Sequence, residues 1–343
     1  MSGVGYVFDP LYLEHSLPGH PESAGRLRTI MAHLEESGLL GMMAALEACD
    51  ATEDDLRLVH TPQLIAAVRE TSGMRETWFD ADTYAVANSY SAALRAAGGV
   101  LKAVDAVLDG DLDSAFCLVR PPGHHATPER AMGFCLFNNV AIAAAHALER
   151  RGLQRLAVID IDVHHGNGTQ DAFYREPRVL YWSTHQYPFY PGTGSWEEAG
   201  DGPGKGTTVN VPMPAGCGDA EYRRAYRELL APLLRRYHPQ LILVSAGFDA
   251  HFMDPLAQIL LSTRGYYEIA ALLRELADEL CGGRIVYALE GGYDHTALAW
   301  SLHACIDTLL GNDFTPDPLG LAPQVRAPDV GAVLEAVKRL HGL

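Results

Sequence analysis

Short runs of β-branched and apolar residues alternate along the chain with longer stretches in which apolar positions recur at helical spacing. The runs 4–8, 115–119, 156–161, 179–182, 207–211, 241–245 and 285–289 predict strands. The stretches 26–36, 89–108, 138–150, 220–236 and 264–280 predict helices. In 220–236, Tyr222, Tyr226, Leu229, Leu230, Leu233 and Leu234 make one apolar face. Nearly continuous apolar strands joined by helix-length crossovers call for an α/β fold, with a mostly parallel sheet covered by helices on both faces. The pattern contains no internal repeat, low-complexity tract or clear linker. One domain over 1–343 is therefore expected, with a core at about 5–310. Residues 311–343 form a looser, proline-bearing extension whose last segment, 331–340, reads as a helix.

Composition narrows the functional classes. Lys and Arg total 26 against 43 Asp and Glu, a formal charge of −17. That balance argues against direct nucleic-acid binding, which needs a basic footprint. It suits a cationic substrate, although acidity serves solubility equally well. The six cysteines are scattered without a C-x-x-C pair, which disfavours a thiolate metal site and a disulfide framework. The opening residues have no basic segment followed by a long apolar run, and no stretch approaches a membrane span. A cytoplasmic protein is expected.

The candidate chemistry is positional. Four reactive clusters each follow a predicted strand: Arg120-Pro-Pro-Gly-His-His125, Asp162-Val-His-His-Gly-Asn167, Ala246-Gly-Phe-Asp249 and Glu290-Gly-Gly-Tyr293. Open parallel sheets bind ligands outside the carboxyl ends of their strands, so four neighbouring strands would bring all four clusters to one crevice. Asp162, His164 and Asp249 offer two carboxylates and an imidazole, enough to hold one Zn²⁺ with a position left open for catalysis. The bland alternative is that they cap turns and begin a helix. His124 and His125 suit acid–base work near neutral pH, with Asp160 and Asn167 as groups to orient the two rings. They could instead be ligands or a polar turn. Tyr293, after Gly291-Gly292, could aim its phenol at a developing oxyanion, or be an ordinary core or surface tyrosine.

Through these motifs the sequence resembles the arginase/deacetylase superfamily, and within it the histone deacetylases and the bacterial histone-deacetylase-like and acetylpolyamine amidohydrolases. Gly133-Phe-Cys-Leu-Phe-Asn-Asn139, Tyr190-Pro-Gly-Thr-Gly194 and Asp254-Pro-Leu256 add to the match, which runs from about Gly5 to Leu310. The resemblance implies a single-domain arginase/deacetylase fold with a central sheet of about eight strands. It implies a zinc-dependent amidohydrolase acting on acetyl-lysine or related acetylated amines through metal-activated water, with His125 as general base and acid. His124 with Asp160 would support transition-state charge, and Tyr293 the oxyanion. Phe134 and Tyr190 would wall a tunnel lined by Gly133, with Leu256 at its rim and Asp82 holding substrate at its mouth. A potassium ion would use Asp160, Asp162, His164, Ser183 and Thr184, and Arg26 could line an internal pocket for released acetate.

Two features set this chain within that family. Asn167 stands where one branch has aspartate, which gives His125 a neutral partner and points to the class II-like branch. Leu256 is apolar where a polyamine-selective relative carries an acid. The sequence leaves open whether the substrate is protein acetyl-lysine, an acetylpolyamine or a small metabolite, which acyl length it takes, whether zinc or ferrous iron is used, and the oligomeric state. Two rivals remain at this stage. One is a two-metal ureohydrolase on the same fold, the other a non-catalytic acyl-lysine binding protein.

Overall fold

All eight strands of the central sheet run parallel, in the order β2-β1-β5-β10-β9-β6-β7-β8. The structure, a computed structural model, describes residues 3–323, 326 and 328–343, so Met1 and Ser2 of the opening segment lie outside it. The strands are β1 (Gly3–Val7), β2 (Ala44–Leu46), β5 (Leu112–Cys117), β6 (Leu156–Asp160), β7 (Val179–Gln186), β8 (Thr208–Met213), β9 (Ile242–Ala246) and β10 (Ile285–Leu289). A separate antiparallel pair, β3 (Thr77–Trp78) and β4 (Tyr84–Ala85), completes the numbering. Every residue of β6, β9 and β10 is buried, as expected of central parallel strands with both faces covered.

Two groups of helices flank the sheet. Helix Ser89–Asp109 packs on Asn139–Glu149 and on β5. Helix Thr263–Cys281 packs on His295–Leu310, which in turn packs on Ala24–Glu36. The region 220–236 is not one regular α-helix. It passes through a wide turn at Tyr226–Leu230 between Asp219–Ala225 and Ala231–Tyr237. Pro232 has no N–H to give and its ring crowds the carbonyl four residues back, which accounts for the widening. Strand β7 runs four residues beyond the apolar segment that predicts it, because Ser183, Thr184, His185 and Gln186 are buried polar residues inside the sheet.

The C-terminal extension ends in helix Gly331–His341, which buries Leu334 and Val337 against the β8 side of the sheet. Lys338 pairs with Glu228 at 2.8 Å, and the Arg236 guanidinium donates to the His341 and Gly342 carbonyls. Covering an edge strand in this way removes a template for unwanted pairing.

Candidate active site

Strands β5, β10, β9 and β6 are consecutive neighbours in the middle of the sheet, and the four reactive clusters are the loops that leave their carboxyl ends. Asp162, His164 and Asp249 present ligand atoms all within 4.8 Å of one another. Nδ1 of His164 lies 3.1 Å from Oδ2 of Asp249 and 3.3 Å from Oδ1 of Asp162. Main-chain donors fix the two acids. The Gly291 N–H donates to Asp162 Oδ2 at 2.9 Å, and the Val163 N–H to Asp249 Oδ1 at 2.9 Å. Glycine is required on both sides of this cluster. A Cβ on Gly291 would come within 2.6 Å of Asp162 Oδ2 and 2.8 Å of Asp249 Cγ, and one on Gly247 within 2.5 Å of Asp162 Cβ.

The electrostatics of the cluster call for a cation. Burial alone would push Asp162 up, but His124 and His164 hold it well below the usual carboxylate range. Burial and the neighbouring Asp162 push Asp249 up. Burial would depress His164, yet its hydrogen bonds to Asp162 and Asp249 raise it to about 10. A proton on Nδ1 therefore sits where two carboxylates and a ring nitrogen converge. A divalent ion satisfies the same three groups with its own charge, and two acids with one imidazole suit Zn²⁺ in an open site.

The histidine pair is asymmetric. His124 donates from Nδ1 to Asp160 Oδ2 at 3.0 Å, and Tyr181 donates its hydroxyl to the same oxygen at 3.3 Å. Burial disfavours charge on His124, but Asp162 and Asp160 outweigh it and push its pKa well above the ordinary value. His125 donates from Nδ1 to Asn167 Oδ1 at 2.8 Å, which leaves Nε2 without a proton. Burial, with His124 and His164 nearby, pushes His125 well below its ordinary value. The two environments thus push rings 4.0 Å apart in opposite directions, His124 toward its charged form and His125 toward its neutral form.

A cavity of about 260 Å³ opens onto this group, lined by Asp82, His125, Gly133, Phe134, His164, Phe189, Tyr190, Leu256 and Tyr293. All five residues expected to contact substrate line it. Phe134 has a left-handed backbone (φ 69°), a sparsely populated state for a residue with a side chain. Its N–H is held by Thr83 Oγ1 at 3.1 Å, and its ring stands edge-on to Tyr293 at 5.7 Å. Tyr190 meets His125 edge-on at 5.1 Å. The phenol of Tyr293 is pushed well above its ordinary range by burial and by Asp249, so it stays a donor. The Asp82 carboxyl is raised by burial and by Asp80, and its backbone carbonyl accepts from His20 Nε2 at 3.0 Å.

Arg26 is fully buried. Its guanidinium donates to the Gly292 and Glu290 carbonyls, pairs with Glu22 and stacks 5.2 Å from the Tyr293 ring, so it props the tyrosine from behind. Ser183 and Thr184 are buried in β7, and their hydroxyls are partnered with His185 Nδ1 and Tyr226 respectively.

Three residues to which sequence reasoning gave no role border the site, although Glu290 and Asp254 head two of the motifs. Phe189 stacks on His164 at 5.5 Å. The buried Glu290 carboxylate accepts the N–H groups of Gly123 (2.6 Å) and His124 (3.1 Å), tying β10 to the loop after β5; burial raises its pKa to about 7. Asp254 accepts the Tyr293 N–H at 2.7 Å through one oxygen and the Leu256 N–H at 3.0 Å through the other. It thereby couples the cavity rim to the phenol.

Comparison with known proteins accords with this arrangement. A family model described as the histone deacetylase domain matches residues 20–309. Histone deacetylase 14, chloroplastic, of Arabidopsis thaliana is 41% identical over 318 residues, which span 88% of this chain and 75% of that protein. A probable deacetylase of Archaeoglobus fulgidus is 40% identical over 351 residues, 98% of this chain and 97% of that protein. A crystal structure of the HDA15 HD domain matches with a TM-score of 0.91 at 37% identity, covering 99% of this chain and 94% of that one. No helix among the described residues is long and apolar enough to cross a membrane.

Proposed function

This chain belongs to the histone deacetylase family, and on that premise we propose that it is a zinc-dependent amidohydrolase that frees amines from acetyl or other short acyl groups. The observation that carries the reading is one cavity bordered by an acid–imidazole–acid cluster, a neutral histidine with a bare nitrogen and a half-buried phenol. One Zn²⁺ per chain, held by Asp162, His164 and Asp249, would supply Lewis acidity toward the acyl carbonyl and the attacking water.

The rest of the chemistry falls to side chains. His125 Nε2 takes the proton of the attacking water, since Asn167 fixes its Nδ1–H and its environment keeps it neutral. The Tyr293 hydroxyl donates to the oxygen on which negative charge develops. His124, held cationic by Asp162 and Asp160, balances that charge. The proton carried by His125 then goes to the departing amine, and a carboxylate and a free amine result. Phe134, Phe189 and Tyr190 wall the acyl arm and exclude bulk water, Gly133 gives His125 room, and Leu256 forms an apolar rim. Asp82 at the mouth is positioned to accept an N–H of the substrate.

The apolar Leu256 favours acetyl-lysine in a peptide over an acetylpolyamine, while the acidic composition suits either cationic substrate. In this reading the catalytic unit runs over about 5–310, and helix Gly331–His341 of the 311–343 extension covers one edge of it. A potassium ion would take its oxygens from the Asp160–His164 turn and the Ser183–Thr184 segment. The location is cytoplasmic, with no direct nucleic-acid contact. Both histidines of the tandem are engaged by Asp160 and Asn167, which favours a single-ion enzyme over a two-metal ureohydrolase.

A hydrolysis panel comparing acetyl-lysine peptides with acetylated polyamines, with and without chelator, tests the proposal. Chelator-sensitive release of acetate is expected. Inactivity of the zinc-loaded protein across the whole panel would favour a non-catalytic acyl-lysine binder, and two Mn²⁺ per chain that are both lost in His164→Ala would favour the ureohydrolase.

A further inference from the structure

Helices Ala24–Glu36 and His295–Leu310 pack together behind the site and place a second pair of histidines face to face. His33 Nε2 lies 2.8 Å from His303 Nδ1. Neither ring belongs to the machinery described above. Trp300 stacks on His303 (5.4 Å between centroids, 10° between planes) and meets His33 edge-on at 4.6 Å.

The surroundings resemble those of a ligand more than those of a structural hydrogen bond. His303 Nε2 faces Asp307 Oδ2 at 3.5 Å. That buried carboxylate is itself fixed by the Asn312 side chain and the Thr315 N–H. A carboxylate behind one ring nitrogen sets the tautomer that leaves the other nitrogen free to bind, the usual support of a metal-ligating histidine. Glu36 follows His33 by three residues on the same helix face. Both border a surface cavity of about 400 Å³ with Arg28 and Trp300, which gives ions an entry path.

We propose that His33 and His303 form a peripheral site for a borderline transition-metal ion such as Zn²⁺ or Ni²⁺, with Glu36 as third ligand and water completing the shell. The ion replaces the single hydrogen held between the two nitrogens. His33 shifts to its Nδ1–H tautomer, so no net proton leaves. Two metal–nitrogen bonds in tetrahedral geometry place the nitrogens about 3.3 Å apart. The present spacing therefore needs only a small opening of the two side chains, whereas the exposed Glu36, whose carboxylate does not lie within 4.8 Å of both rings, has to turn toward the ion across the cavity that it shares with His33. Burial and His303 hold His33 below its ordinary value, and burial does the same to His303, so both rings are neutral and ready to bind at pH 7. The ion would staple the helix that carries Arg26 to the helix that starts just after Tyr293. Its role is to stiffen the support of the phenol, and it stands or falls independently of the amide chemistry.

The test counts metal and reads Trp300. Full-length protein dialysed against excess zinc should retain two ions per chain, and His33→Gln and His303→Gln one each. The His164→Ala variant, stripped of the cavity site, should still retain one. Ni²⁺ added to protein carrying a single equivalent of zinc, in the cavity site, should quench tryptophan fluorescence in the wild type, but not in Trp300→Phe or either glutamine variant. Glu36→Gln, on an exposed position that leaves folding intact, should weaken the quench by ~10-fold or more. One zinc per chain in the wild type, or an unchanged count and quench in His33→Gln and Glu36→Gln, overturns the site.

Discussion

Replacing Gly247 with alanine adds one methyl group at the point where the chain leaves β9, next to Asp162. The new Cβ would lie 2.5 Å from Asp162 Cβ and nearer still to its carboxylate, where ordinary contact begins at 3.4 Å. The backbone has little room to retreat, because the Phe248 N–H is bonded to the Gly291 carbonyl at 3.0 Å and the Glu290 N–H to the Ala246 carbonyl at 3.0 Å. The Asp162 carboxylate oxygen, 2.0 Å from the new Cβ, must therefore yield by about 1.4 Å, against a tolerance of about 0.2 Å in metal–ligand distances. Zinc affinity should fall by ~100-fold, the upper end of what a misoriented ligand shell costs, and turnover at limiting zinc should fall with it. The metal-free fold should lose only about 1–3 kcal/mol from overpacking. Competition titration against a chromophoric chelator measures the first quantity and chemical denaturation the second. Gly41→Ala, with nothing within 4 Å of its Cβ, is the matched control. A Gly247→Ala protein that binds zinc as tightly as wild type would remove Asp162 from the ligand set.

Tyr293→Phe should lower kcat by ~10²–10³-fold while leaving zinc content unchanged by elemental analysis, and near-normal turnover would end its assignment to the oxyanion. Asn167→Asp would set a carboxylate on the His125 Nδ1–H and raise a pKa that the present environment depresses. The acid limb of kcat/KM, where the base becomes protonated, should then move to higher pH; an unmoved limb would show that His125 is not the titrating base. Burial alone would raise Glu22, but Arg120, His15 and Arg26 pull it from an ordinary value near 4.5 down to about 2. Its contribution to stability is therefore complete above about pH 4.5 and lost as pH falls toward 2, and urea denaturation across that window should show the slope. Glu22→Gln should lack the slope and cost about 3–5 kcal/mol at neutral pH, because Arg120 is left buried without its counter-ion.

The strands that carry the site were legible because central parallel strands are apolar throughout, and the reactive residues begin where the apolar run stops. What stayed hidden has physical reasons. Strand β2 is three residues long and largely exposed, and β3 and β4 are two residues each, too short for any periodicity. Helix His295–Leu310 is buried nearly all round, so it has no polar face to announce its period. Glu290 and Asp254 act on backbone N–H groups 167 and 39 residues away, a relation that no local spacing encodes. Phe189 was overshadowed by Tyr190, although adjacent aromatics in a turn both reach the same cavity when the chain bends sharply around it. The grouping of Asp162, His164, Asp249, the histidine pair and Tyr293 at one end of the sheet was legible because each reactive cluster starts where an apolar strand stops.

The Asp162 carboxylate is completed by a backbone N–H that lies 129 residues further along the polypeptide. A chain still emerging from the ribosome cannot offer that pocket until β10 has docked beside β9. A metal ion taken up at this cluster would therefore bind after synthesis and come from the exchangeable ions of the compartment. Cells rich in available iron or in available zinc would consequently furnish the same polypeptide with different metals.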